Sequence, residues 1–136
     1  MKISTERPPI YDEANKLFKI EELGLKPCFA YGSTIYNPFN VIIDADLEAH
    51  EAVHSGRQGD NPKEWWDQYL ADRDFRLQEE ILAYAAQLKV LYQNAPNAHG
   101  RDYYLDKVSE ALSGNLYGNL CTFGEARSKI RRASMV

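Results

Sequence analysis

The sequence has few cysteines and no long apolar run. Its two cysteines, Cys28 and Cys121, lie far apart and outside any C-x-x-C pair, which indicates free thiols in a reducing compartment, with a single disulfide as the alternative. No stretch approaches the roughly 18 apolar residues that a membrane span needs. Met1 to Pro9 lack the basic and apolar segments of a secretory signal. These absences predict a protein that is made in the cytoplasm and has no membrane partner.

Positive charge is also scarce. With 16 Lys and Arg against 20 Asp and Glu, the net charge is −4, so the composition offers no broad electrostatic case for binding nucleic acid. A hydrophobic content of 44% and a charged content of 26% are typical of a globular chain. At 136 residues, the chain is long enough to bury a core without disulfides, which predicts one domain.

Histidine is scarce too, and its placement is informative. Two of the three histidines, His50 and His54, are four residues apart, which places both on one face of a helix. Both imidazoles can then reach one metal ion, and Glu51 beside them can take a proton from water. His50-Glu51-Ala52-Val53-His54 is therefore the H-E-x-x-H pattern of zinc hydrolases. The alternative is that the two histidines form only a polar helix face.

A third ligand is needed, because catalytic zinc sites use three protein ligands. The candidates are Glu79, Glu80, His99 and Cys121. Glu80 is favoured because it lies in the middle of a predicted helix, among apolar residues that turn it inward, where a charged carboxylate needs a partner. Ala83, one turn later, would let this helix approach the His50–His54 helix closely. Glu79 is predicted to be the more exposed of the two carboxylates, although rotation of the helix would exchange them.

Two further features leave alternatives open. His99 lies in a loop rich in Pro, Asn and Gly, which indicates a surface histidine. Its alternative role is that of a hydrogen-bond donor that reaches the transition state from a mobile loop. Trp65 and Trp66 are adjacent on a predicted helix, so only one is expected to anchor the core, while the other lines a cleft or contacts a partner.

The hydrophobic pattern predicts a mostly helical α+β fold with a small antiparallel sheet. Short strands are expected around a Gly32-Ser33 turn, with a third over 41–43. Helices are expected over about 11–23, 46–57, 73–93, 101–112 and 122–132, with a short one after Pro62. The chain divides into an N-terminal arm and helix (1–27), a metal-site core (28–93), and C-terminal helices with a tail in the same domain (94–136).

The metal-site residues also carry a family resemblance. His50, Glu51 and His54, followed by Glu80-Ile81-Leu82-Ala83, resemble the gluzincin branch of the zinc metallopeptidases over about residues 28–92. The resemblance implies one Zn²⁺ held by His50, His54 and Glu80, with Glu51 as the general base.

A second resemblance covers more of the chain. It is a resemblance to small metallopeptidase-like proteins encoded by tailed bacteriophages, and it rests on the stretches 31–38, 50–58, 116–119 and 125–127, on Trp65-Trp66 with Tyr69-Leu70, and on Phe75-Arg76 with Glu80. This resemblance implies a minimal zincin-like fold, in which a small sheet lies beside the metal-site helix and the rest is helical. It implies no known substrate.

Two functions follow as hypotheses. The first is a zinc metallopeptidase in the cytoplasm of a bacterial host, whose peptide or protein substrate pairs with strand 34–36 or 41–43 at the sheet edge. The second is a phage virion protein that retains a zincin-like fold with a structural or inactive metal site. Its partners would be other virion proteins or further copies of the chain.

Overall fold

A computed structural model describes residues 1–135 of the chain. The described chain folds into six α-helices, three strands and one 3₁₀ turn, which confirms the mostly helical α+β fold. The elements in chain order are β1 (Lys2–Ser4), α1 (Tyr11–Phe18), β2 (Phe29–Tyr31), β3 (Thr34–Tyr36), α2 (Ala45–Gln58), α3 (Pro62–Ala71), α4 (Arg73–Gln93), α5 (Ala98–Ser113), the 3₁₀ turn (Asn115–Tyr117) and α6 (Phe123–Ser134).

The sheet is mixed rather than purely antiparallel. Its strand order is β1-β3-β2, in which β2 pairs antiparallel with β3 and β1 pairs parallel with it. The predicted hairpin is present, and Gly32 in its two-residue turn has a φ of 61°, which a residue without a side chain adopts at no steric cost. The antiparallel prediction was wrong because the partner of β3 on its other side comes from the N-terminal arm.

The predicted strand over residues 41–43 is also wrong, because these residues lie in a loop. Asn37 shapes this loop through its buried side chain. Its amide donates to the Val41 carbonyl at 2.9 Å and accepts from the Val41 backbone N–H at 3.0 Å. Both backbone groups of Val41 are thereby satisfied without a strand partner, and this local pairing overrides the β-propensity of the Val and Ile residues.

Most helices match the sequence prediction, and the deviations lie at their ends. α4 spans the predicted residues, and the Asp72 side chain caps it by accepting from the Phe75 N–H at 3.1 Å. α1 ends earlier than predicted, because Lys19 adopts a left-handed conformation and its N–H bonds to the Asn15 carbonyl. α5 begins earlier than predicted, because Asn97 caps the N–H of Gly100.

Two hydrophobic clusters form the core. One lies between α1, β2 and α3, and the other between α4, α5, α6 and the 3₁₀ turn. Trp65 and Trp66 are both buried in the first cluster, at 6% and 5% exposure, so the expectation that only one would be buried was wrong. Both indole N–H groups find partners, in the Glu79 carboxylate and the Ala30 carbonyl, and α3 can therefore bury two adjacent faces.

The sequence predicts that the chain has no membrane-spanning segment and that its two cysteines are free thiols. Within residues 1–135, every helix is too short or too polar to span a bilayer. Cys28 and Cys121 are both free thiols, as predicted, and both are half-buried.

Candidate metal centre

The packing of α2 against α4 brings the predicted ligands together. Nε2 of His50 lies 3.1 Å from Oε1 of Glu80, and Nε2 of His54 lies 3.0 Å from Oε2 of the same carboxylate. Ala83, one turn after Glu80, is fully buried and allows the two helices to approach closely, as the sequence indicates. One ligand atom from each of His50, His54 and Glu80 lies within 4.8 Å of the other two, so this buried group can hold a metal ion.

A hydrogen-bonded chain behind His50 determines which of its nitrogens is protonated. Nε2 of Gln87 donates to Oδ2 of Asp46 at 2.9 Å, because a carboxylate only accepts. Oε1 of Gln87 therefore faces Nδ1 of His50, also at 2.9 Å, and this acceptor requires the proton to be on Nδ1. In the neutral ring, Nε2 of His50 then carries a lone pair directed at the Glu80 carboxylate, which is the tautomer that binds a metal.

The Glu80 carboxylate has one oxygen engaged and one available. Oε2 accepts a 2.6 Å hydrogen bond from the Tyr69 hydroxyl, whereas Oε1 finds no hydrogen-bond partner among residues 1–135. In the neutral His50 ring, the 3.1 Å approach of Nε2 to Oε1 would bring two lone pairs together. A cation held between them satisfies both atoms, so the donor set fits a bound metal.

The charge of Glu80 supports the same conclusion. Its side chain is buried, and burial raises the pKa of a carboxyl group. The imidazoles of His54 and His50 more than offset this effect, so the pKa of Glu80 lies well below its ordinary value. Glu80 is therefore an anionic ligand at neutral pH.

His54 is held mainly by packing. Its ring lies 5.2 Å from the ring of Trp65 and 6.4 Å from that of Tyr69, measured between centroids. Its Nδ1 atom has no hydrogen-bond partner in the described part of the chain. The two histidines are thus positioned differently, His50 by a polar chain and His54 by an aromatic wall.

Glu51, the predicted general base, lies on α2 between the two histidines and is 5% exposed. The backbone of Ala30 in β2 lies near its carboxylate. Burial, together with the nearby Glu80 carboxylate, raises the pKa of Glu51 to about 7, although His50 and the Ala30 backbone oppose the shift. A carboxyl group with this pKa can both accept and return a proton near neutral pH.

Glu79 is as buried as Glu80, at 2% exposure, so the prediction that it would be the more exposed neighbour was wrong. Its carboxylate binds the Arg57 Nε at 2.7 and 2.8 Å and the Trp65 Nε1 at 2.8 Å. Glu79 therefore faces a different side of α4, where its own partners satisfy it. Rotation of α4 does not exchange the two carboxylates.

The remaining candidates lie elsewhere. His99 is exposed on the first turn of α5, which confirms its interpretation as a surface histidine. Cys121 is half-buried beside the second hydrophobic cluster. Neither belongs to the group of ligand atoms found within residues 1–135.

Sequence reasoning missed Gln87 and the ligand-holding roles of Asp46 and Tyr69. A signal for Gln87 was present, because it lies seven residues after Glu80 and therefore on the same face of α4. The contacts of Asp46 and Tyr69 join different elements, and no periodicity in the sequence marks them.

A cavity of about 480 Å³ opens beside the ligand group. Glu51, His50, His54 and Glu80 all contribute to its wall, together with apolar and aromatic side chains from α4, α5 and the 3₁₀ turn. A ligand in this cavity would lie against both the metal ligands and the candidate base.

In comparisons with known proteins, no family model, curated protein or solved structure matches this chain.

Proposed function

We propose that this chain is a zinc-dependent metallopeptidase of minimal, zincin-like type. The observation that carries the proposal is the buried group of His50, His54 and Glu80 beside Glu51 on the wall of one cavity. Two imidazoles and a carboxylate form one of the common three-ligand sets of catalytic zinc. One ligand atom from each of these three residues lies within 4.8 Å of the other two, so all three could bind the same zinc ion.

Bound zinc would polarise the peptide carbonyl and make water acidic enough to lose a proton near neutral pH. Glu51 is the base that takes this proton as the water oxygen bonds to the carbonyl carbon. It returns the proton to the leaving amine when the C–N bond breaks.

The residues around the ligands support a catalytic rather than an incidental cluster. Gln87 fixes the His50 tautomer, and Tyr69 holds one oxygen of Glu80 so that the other remains available. A polar helix face in contact with solvent would need none of these contacts.

The virion hypothesis stays a prediction. Both ends of the described chain are held by its own contacts, since β1 pairs with β3, and Ala126 and Ile130 of α6 are fully buried. Their order therefore needs no partner to explain it.

The test is the Glu51→Gln variant, with Glu48→Gln, an exposed carboxylate on the same helix, as the matched control. Glutamine keeps the shape of the side chain but cannot take the proton. Peptide-library hydrolysis should fall by about 100-fold or more in Glu51→Gln, while zinc content and the thermal midpoint are retained. Unchanged hydrolysis in Glu51→Gln would rule out the proposed base.

A further inference from the structure

The sheet offers an extended substrate little opportunity to pair. β3, one of the two segments expected to bind substrate, is the central strand and is paired on both sides. The other expected segment, residues 41–43, lies in a loop. The strand that packs along α2 is β2, so its outer edge is the one that lies beside the candidate site.

That outer edge is already occupied. In an antiparallel pair the backbone groups of alternate residues point away from the partner strand, and in β2 the residue that points away from β3 is Ala30. Its carbonyl accepts from Nε2 of Gln58 at 2.7 Å and from Nε1 of Trp66 at 2.9 Å.

Gly32 is the next residue whose backbone groups point away from β3, and side chains of α2 bind these groups as well. Its N–H donates to Oε1 of Gln58 at 2.8 Å, and its carbonyl accepts from the Ser55 hydroxyl. Glu51, Ser55 and Gln58 share one face of α2, so this helix takes the place along β2 that an added strand would need.

The cavity also limits the size of the substrate that can reach the site. His50, His54 and Glu80 are each at most 4% exposed, so a scissile bond must enter the cavity to reach them. Its volume of about 480 Å³ lies in the range of about 300–1,000 Å³ that encloses drug-sized ligands. Much of the wall consists of apolar and aromatic side chains, so the surface that meets the ligand is largely apolar; among them are Val41, Leu47, Tyr104, Val108 and Leu116.

We propose that the site accepts short apolar peptides of about two to four residues and discriminates against long extended chains. This inference rests on the proposed peptidase function. Recognition comes from burial of apolar side chains in the cavity, since side chains of α2 and α3 already bind the Ala30 carbonyl and both backbone groups of Gly32 at the edge of β2.

The experiment compares one apolar tetrapeptide, Ala-Phe-Leu-Ala with blocked ends, with the same sequence centred in a Gly/Ser-flanked peptide of about 12 residues. Zinc-loaded wild-type protein should cleave the short peptide with a kcat/KM at least about tenfold higher. Equal or faster cleavage of the long peptide, or of unfolded casein, overturns the inference.

A binding measurement separates this inference from the proposed function. Zinc-loaded Glu51→Gln protein should bind the short peptide at least about tenfold more tightly than the long one in calorimetry. If wild-type protein loaded with zinc cleaves neither peptide, the peptidase proposal fails, and this preference still supports the size limit. Equal binding of both peptides overturns it.

A matched pair of variants tests the cavity itself. Ala111 is exposed on α5 and lines the cavity, whereas Ala98 is exposed on the same helix outside the cavity wall. Ala111→Trp should weaken binding of the short peptide at least about tenfold without changing zinc content, whereas Ala98→Trp should leave both unchanged. Equal effects of the two substitutions on peptide binding would show that the cavity does not bind the substrate.

Discussion

Oε1 of Gln87 lies 2.9 Å from Nδ1 of His50, and this contact sets the tautomer of the first candidate metal ligand. Gln87 can fill this role because Asp46 holds its amide nitrogen at 2.9 Å. The polar chain spans α2 and α4, so the packing of these two helices and the orientation of the ligand depend on each other.

Loss of Gln87 should therefore weaken metal binding. In Gln87→Leu, Nδ1 of His50 loses its acceptor and the ring is free to adopt the tautomer that protonates Nε2. Zinc affinity should fall by about 10- to 100-fold, as measured by competition with a chromogenic chelator. Gln78→Leu, at an exposed position on α4, is the control and should bind zinc as the wild type does. Equal affinity of the two variants would show that the Asp46–Gln87 chain does not position His50.

Glu79 should affect stability without affecting the metal. Its carboxylate is satisfied by Arg57 and Trp65, away from the ligand group. Glu79→Gln weakens these charge-assisted hydrogen bonds, so the free energy of unfolding of the zinc-loaded protein should fall by about 1–3 kcal/mol in urea titration. Zinc stoichiometry should stay the same. Loss of zinc from this variant would mean that the two neighbouring carboxylates are not independent.

Glu51 gives the metal-free protein a predictable pH dependence. Its pKa is raised from 4.5 to about 7, mainly by burial, so the folded state retains a proton that the unfolded state releases. This retained proton contributes on the order of 3 kcal/mol to the free energy of unfolding. The contribution is fully present below pH 4.5 and is lost as the pH rises through about 7.

Glutamine at position 51 does not titrate, so urea unfolding in the presence of a chelator should show a flatter pH profile for Glu51→Gln than for the wild type. The two curves should diverge between pH 4.5 and 7 and run parallel above that range. Glu48→Gln is the control and should follow the wild type. Wild-type and Glu51→Gln curves that run parallel throughout would show that Glu51 does not hold its proton in the fold.

The parts of the site that were predictable from the sequence are those set by helical period. His50 and His54 lie one turn apart, and the apolar residues around Glu80 place it inward, so local spacing was sufficient for the ligand group. The burial of Glu79 was not predictable in this way. Its partner Arg57 lies on another helix, and a charged side chain is expected inside only when such a partner is known.

In the sheet, too, local structure was predictable from the sequence and pairing between distant residues was not. The hairpin of β2 and β3 is local, and its glycine turn marks it in the sequence. The parallel pairing of β1 with β3 joins residues far apart in the chain, and a three-residue strand is too short to show a pattern. Sealing of the β2 edge by Gln58 likewise depends on where α2 lies against the sheet, which only the folded structure provides.

The most direct measurement is the zinc content of purified protein, determined by elemental analysis of the wild type and of Glu80→Gln. We expect one zinc per wild-type chain and a loss of stoichiometric zinc in the folded Glu80→Gln variant, because the amide removes the anionic oxygen that completes the ligand group. A folded wild-type protein that takes up no zinc when supplied with it, or a Glu80→Gln variant that retains a full equivalent, would contradict the proposed metal centre.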